Sequence, residues 1–201
     1  DFFNHWYPRH ALHSRWCYPR NLGITGERFG MNILLGKFID AEITDEERVQ
    51  IDSFGHVMFR KFGSAACEVQ GAGPDQTEAI RADFNRLLEL LVDHFKRHDF
   101  LLGDRACLAD FALVGPFKAH FLLDPEPLEW LGGHKTTMEA YVNRVYAGVK
   151  SGATWLNNDA LPDTLSPLFD YSRDHYQVFA FESISASGRG EKTFSLDLGD
   201  G

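Results

Sequence analysis

Residues 101–121, Leu-Leu-Gly-Asp-Arg-Ala-Cys-Leu-Ala-Asp-Phe-Ala-Leu-Val-Gly-Pro-Phe-Lys-Ala-His-Phe, decide the fold. Gly103-Asp104 reads as a turn, and Cys107 as the residue that starts a helix. Asp110 stands three positions on, the spacing at which a carboxylate accepts from the free N–H groups of a first helical turn. Ser or Thr is the usual cap residue, and Cys107 is a weaker acceptor. Leu108, Phe111, Ala112, Val114, Gly115 and Phe117 leave almost no polar face, so the helix is expected in the middle of a packed domain. Gly115-Pro116 removes a donor inside it and predicts a kink.

On either side, the apolar spacing is helical. Thr44-Asp45-Glu46-Glu47 is a capping box, and Ile51, Phe54, Met58 and Phe62 follow at helical intervals, with Gly63 suited to the end. Ile80, Phe84, Leu87, Leu88, Leu91 and Phe95 form the best stripe in the chain, opened by Asp75 and Glu78 and running to about His98. His94 and His98 lie one turn apart beside Asp93, but Lys96 and Arg97 favour a solvated helix end over a metal pair. Thr136 with Glu139 is another capping box, before Met138, Tyr141, Val142 and Val145. A last helix starts at Asp163 or Ser166, with Pro167 in its first turn, and runs to about Phe179. Asn21 to Phe38, with Gly23, Gly26, Gly30 and Gly36, reads as loop and short turn. It is not a phosphate-binding loop, because no Lys-Ser/Thr ending is present. Asp124-Pro-Glu-Pro127 and Gly132-Gly133 also read as loop.

The first eighteen residues concentrate histidine, tryptophan and tyrosine. One reading is an amphipathic helix packing its aromatics on the core, ended by Pro19. The other is that His10, His13, Trp16 and Tyr18 face a ligand cavity. A metal site from His5, His10 and His13 fits poorly, since the spacings do not share one face and no carboxylate accompanies them.

Bulk properties narrow the function. With 201 residues, 44% hydrophobic and 24% charged, the composition is that of an ordinary soluble domain. A net charge of -9 argues against nucleic acid or an anionic membrane as partner. No apolar run approaches the ~20 residues of a membrane span. Three widely spaced cysteines, Cys17, Cys67 and Cys107, are expected to be free thiols in a reducing cytoplasm. A chain that begins at Asp1 instead of Met is expected to be processed or cut from something longer. The expected organisation is all-α: an aromatic-rich segment and loop over 1–43, a helical bundle over 44–180, and a tail over 181–201. In the tail, Phe194, Leu196 and Leu198 alternate as in an interrupted strand or a small hairpin.

The run Leu-Gly-Asp-Arg-x-Cys-Leu-Ala-Asp-Phe-Ala-Leu-x-Gly-Pro resembles the capped, buried helix in the C-terminal helical domain of glutathione transferases. The resemblance spans roughly Thr44 to Phe179, and Cys107 stands where that family usually has Ser or Thr. His13 to Tyr18 is similar to a run that a bacterial subgroup carries before its first long helix. The resemblance implies glutathione as co-substrate, a small hydrophobic electrophile as substrate, no metal, and a homodimer. It also implies a thioredoxin-like domain that activates the glutathione thiol. No such domain is seen in this sequence. The expectation is therefore a co-substrate-pocket and dimerisation domain whose parent conjugates or reduces hydrophobic electrophiles, inactive as this chain alone. Its pocket residues would be His10, His13, Trp16 and Tyr18, with Tyr171 and Tyr176 from the last helix, while Cys107 and Asp110 are structural. The catalytic residue is not assigned. The alternative is a non-catalytic binding or assembly module of the same fold.

Overall fold

A computed structural model describes residues 1–148, 150–157 and 160–198. A one-turn helix, Phe2–His5, leads into α1 (Tyr7–Trp16), α2 (residues 22–34), α3 (residues 45–69) and α4 (Thr77–Phe95). Then follow α5 (residues 108–121), α6 (Pro125–Leu131), α7 (Lys135–Tyr146) and α8 (residues 166–188). The described residues contain no strand, only isolated bridges from Gly103 to Phe100 and Trp155. The fold is all-α.

The stripe on α4 is buried along its whole length, and it meets Leu113, Val114, Phe117 and Phe121 of α5 and Met138, Tyr141 and Val142 of α7. Each fully buried Leu or Phe contributes about 1.5–3 kcal/mol, so this contact is the main source of stability. Phe95 stacks on Tyr141 at 3.8 Å. From the other side, Tyr7 of α1 lies against Phe84, Phe117 and Phe121.

At the head of α5 the Asp110 carboxylate is fully buried. It accepts from the Cys107 N–H at 2.8 Å, the Leu101 N–H at 3.0 Å and the Tyr141 hydroxyl at 3.0 Å. Contrary to what its composition predicts, the helix is not enclosed on every side: Leu108 is 85% exposed and Phe111 58%. Pro116, where a kink is expected, lies inside the helix. Without a proline N–H the turns widen over Phe117–Phe121, and the Leu122 N–H reaches back five residues to the Phe117 carbonyl at 2.9 Å.

Several local expectations give way to packing. Residues 22–34 are helix, not loop. Gly26 lies so close to Gly55 of α3 that a Cβ on Gly55 would stand 3.0 Å from its Cα, and a Cβ on Gly30 would stand 2.8 Å from Ile51 Cγ2. Close helix approach offsets the ~1 kcal/mol that glycine costs inside a helix. Helix α3 runs through Gly63 to Val69. Its turns widen over Met58–Ser64, which rotates the apolar face. Phe62 points outward, while Phe59 and Gly63 meet Trp16. The first expected loop is largely helix: Pro125–Leu131 is helical, with Asp124 at its start. Helix α7 starts at Lys135 without a side-chain cap, so Thr136 and Glu139 form no capping box. His94 is buried, not solvated: its ring nitrogens lie 2.8 Å from Thr164 Oγ1 and 3.2 Å from the Phe100 carbonyl. Among the described residues the tail contains no hairpin. The last helix extends to Gly188, because its apolar residues continue at helical intervals, and residues 191–198 follow as an irregular segment. Residues 199–201, the end of the expected tail, lie outside the described residues.

His120 sits on α5 beside Arg15 of α1. Burial, with the Arg15 charge second, lowers its imidazole from the usual 6.5 to about 4. The unfolded chain then binds a proton between these values and the folded chain does not, so stability is present above pH 6.5 and falls as the pH drops toward 4. The loss reaches up to about 3 kcal/mol. Urea unfolding from neutral pH down to pH 4 should show this slope, and His120→Leu should flatten it.

Candidate functional site

Helix α4 carries Ile80, Asp83 and Arg86 on one face, at successive three-residue steps. Across from them stand Trp6 and Arg9 at the head of α1 and His175 of α8. Together with Leu196, Asp197 and Leu198 they enclose a cavity of about 360 Å³, within the range usual for small-molecule sites.

Asp83 organises its floor. One carboxylate oxygen accepts from His10 Nε2 at 2.7 Å, and both lie within 2.7 Å of the Tyr171 hydroxyl. That hydroxyl in turn accepts from Trp6 Nε1 at 2.7 Å. The other His10 nitrogen, Nδ1, faces the Tyr7 carbonyl at 3.3 Å. Burial pushes the Asp83 carboxyl up, but the hydrogen bonds from His10 and Tyr171 outweigh it and hold the group below the usual carboxylate range. Burial, then the neighbouring Asp83 charge, pushes the Tyr171 phenol far up. Tyr171 is therefore a fixed donor to Asp83, not a source of phenolate.

The rest of the wall is aromatic and cationic. The His175 ring stacks on Tyr171 at 4.3 Å, and the Arg86 guanidinium lies 5.3 Å from the centre of the Tyr171 ring. The Arg9 guanidinium lies 4.2 Å over Trp6 and donates to the carbonyls of Gln70 and Gly71, both at 3.2 Å, closing the end of α3. The arrangement presents apolar ring faces with cations at the edge and a pinned carboxylate beneath. It suits an apolar molecule with a polar end.

An activated sulfur is absent from this wall. The Cys17 thiol is pushed up by its hydrogen bond with Cys67 and by burial, and Cys107 is pushed up by burial. Cys67 is lowered by the same Cys17 contact but is itself buried.

The six pocket residues expected from the sequence fall into three places. His10, Tyr171 and Tyr176 lie just behind the cavity wall, with Tyr176 6.3 Å from Trp6 and 5.9 Å from Phe2. His13 and Tyr18 are grouped instead around Trp130, at 6.3 Å and 5.7 Å, and His13 Nδ1 lies 2.7 Å from the Ala72 carbonyl. Trp16 packs on Phe29 and Phe59 over Gly63. None of the six lines this cavity, because the burial that their aromatic character predicts is met by packing between helices. Sequence reasoning missed Asp83, Arg9, Arg86 and His175. A signal for Asp83 was present: with Ile80, Phe84 and Leu87 it completes an i, i+3, i+4, i+7 pattern, so a carboxylate occupies a core-facing position.

Away from the cavity, Arg105, Cys107, Leu108, Phe111 and Trp155 line a shallow apolar groove at the head of α5, with the Arg105 guanidinium 4.3 Å over Trp155. Among the described residues no group of three or more His, Cys, Asp or Glu is placed to hold a metal ion. No helix of the described residues is long and apolar enough to cross a membrane.

A comparison with curated proteins and with solved structures finds no match. Among family models, that of the glutathione S-transferase C-terminal domain matches residues 64–147. The match covers α4 through α7, and so Asp83, Arg86 and the Cys107–Asp110 cap, but not α1 or α8. Residues 64–147 are thus a helical domain of the glutathione S-transferase C-terminal type.

Proposed function

We propose that the cavity beside Asp83 is the hydrophobic co-substrate site of a glutathione-transferase-like protein, one that conjugates or reduces small hydrophobic electrophiles with glutathione. The observation that carries this reading is the cavity's place on α4, inside the matched domain, with Trp6 and Ile80 on its wall and a fixed carboxylate below. The helical chain supplies the wall that orients the electrophile. The reactive sulfur is that of glutathione, and the group that activates it comes from outside this helical chain. In this reading the protein works in the cytoplasm as a homodimer.

Because Trp6 lines the cavity, a chloronitrobenzene should quench its fluorescence saturably, while glutathione added to this chain alone should give no turnover. Absence of saturable quenching would remove the pocket, and turnover by the isolated chain would remove the division of labour. A second reading, a non-catalytic assembly module, is favoured by the exposed Leu108, Phe111 and Trp155. A stable protein complex lost on Phe111→Ser, without saturable quenching of Trp6, would favour it.

A further inference from the structure

Helix α1 meets the end of α3 along one seam. Arg9, His13 and Cys17 follow one another at four-residue steps and so share a face. Arg9 donates to the Gln70 and Gly71 carbonyls, both at 3.2 Å. His13 Nδ1 lies 2.7 Å from the Ala72 carbonyl, and Cys17 Sγ lies 3.7 Å from the same oxygen. The other side of the seam is a fixed turn. Gly71, at φ +65°, lets the chain reverse after α3. The Ala72 N–H then returns to the Cys67 carbonyl at 2.8 Å, and the Gly71 N–H to the Glu68 carbonyl at 3.0 Å. This is the pair of bonds with which a glycine ends a helix, and it holds Cys67 against Ala72.

Both cysteines thus converge on one residue, and their thiols interact. Cys17 is pushed up by its contact with Cys67 and by burial, with His13 acting the other way, and Cys67 is lowered by the Cys17 contact. A proton shared between two sulfurs lets either carry the charge once the pair ionises. Access differs between them. Cys67 is 1% exposed and Cys17 is half-buried, so an oxidant from solvent meets Cys17 first, with Cys67 behind it. That is the arrangement of a reacting and a resolving cysteine. Cys107, at the head of α5, interacts with Asp110 instead.

We propose that Cys17 and Cys67 are a redox modification site, closed by hydrogen peroxide into a disulfide that staples the end of α1 to the last turn of α3. The Cys17 sulfur attacks one peroxide oxygen. An S–O bond forms, the O–O bond breaks, and the departing hydroxide takes the thiol proton to become water. The Cys67 sulfur then displaces the sulfenic hydroxyl. The S–S bond forms, the S–O bond breaks, and the hydroxide leaves with the Cys67 proton as a second water. The two sulfurs lose two electrons and the peroxide gains them. Because Trp6, Arg9 and Gly71 belong to the cavity wall, the staple also fixes that side of the cavity.

The test treats the folded full chain with hydrogen peroxide and counts thiols with Ellman's reagent after denaturation. Three should react before treatment and one after it, and all three should return on reduction with dithiothreitol. Mass spectrometry should find peptides joined through Cys17 and Cys67, in Cys107→Ser as in the parent chain, and in neither Cys17→Ala nor Cys67→Ala. Cys17→Ala, at the half-buried position, keeps the test valid even if Cys67→Ala fails to fold. The bridge closes a loop of about fifty residues, so it should lower the unfolded-to-folded ratio about a hundredfold or more. The urea midpoint should rise on oxidation of the parent and of Cys107→Ser, and stay in place for the two alanine variants. Separate sulfinic acids in place of a bridge, or bridges through Cys107, would overturn the pairing. A Cys17–Cys67 bridge that leaves the midpoint unchanged or lowers it would overturn the staple. No arm contains glutathione or an electrophile, so the outcome is separate from that of the conjugation reading.

Discussion

Replacing Asp110 with alanine is expected to destabilise the protein by about 3–5 kcal/mol, the range for stranding buried polar partners around a lost charge. The carboxylate holds three donors from three parts of the chain: the Cys107 N–H at the start of α5, the Leu101 N–H in the preceding turn, and the Tyr141 hydroxyl of α7. Alanine leaves the Leu101 N–H buried without an acceptor and the Tyr141 hydroxyl with only the Asp110 carbonyl, 3.4 Å away, and each buried donor so deprived costs about 1–3 kcal/mol. A domain with a total stability of about 5–15 kcal/mol loses a large part of it. Urea denaturation followed by circular dichroism measures the shift in midpoint. Asp110→Asn keeps one acceptor oxygen and should cost clearly less. A midpoint unchanged in Asp110→Ala would mean that α5 is held by its apolar contacts alone.

The second large effect is expected at Asp124. Its carboxylate, buried between α5 and α6, accepts from Arg15 Nε at 2.6 Å and from Arg28 Nη1 at 3.2 Å. Arg15 itself is almost wholly buried and donates to the Ala119 carbonyl as well. Asp124→Ala leaves that guanidinium in the interior without its counter-charge, which costs about 3–5 kcal/mol. The pair as a whole contributes far less than this, since burying two charges sets desolvation against their attraction. The double variant Arg15→Met, Asp124→Leu should therefore be more stable than Asp124→Ala, and a double-mutant cycle should return a coupling above the few tenths expected of unconnected sites. Additive losses would show that the two side chains act independently.

These two carboxylates show what spacing reveals and what it hides. Asp110 was legible because its first partner is three residues away, and a capping box is a local pattern. Its other two partners were not. Asp124 reads in the sequence as part of a Pro-rich loop, and nothing near it points to Arg15, 109 residues earlier. The candidate site follows the same rule. Asp83 meets His10 and Tyr171 across 73 and 88 residues, so no window of sequence contains the network. The aromatic character of the first eighteen residues was plain, but it did not distinguish rings that line a cavity from rings that fill the gap between two helices.

By itself, then, the sequence determined the class of the fold and the places where several helices begin. The Thr44–Glu47 box, the stripe on α4 and the cap at Asp110 rest on hydrogen bonds or side-chain neighbours within one or two turns, and such interactions are written in spacing. Only the tertiary structure decided that a glycine-rich stretch is helix, because the gain lies in how closely α2 and α3 approach and not in either segment's own preference. It alone decided which charges are buried together, which apolar residues stay exposed, and that Leu196, Asp197 and Leu198 form part of the cavity wall. Each of those outcomes depends on which helix faces meet, and a face acquires its neighbours only when the chain has packed.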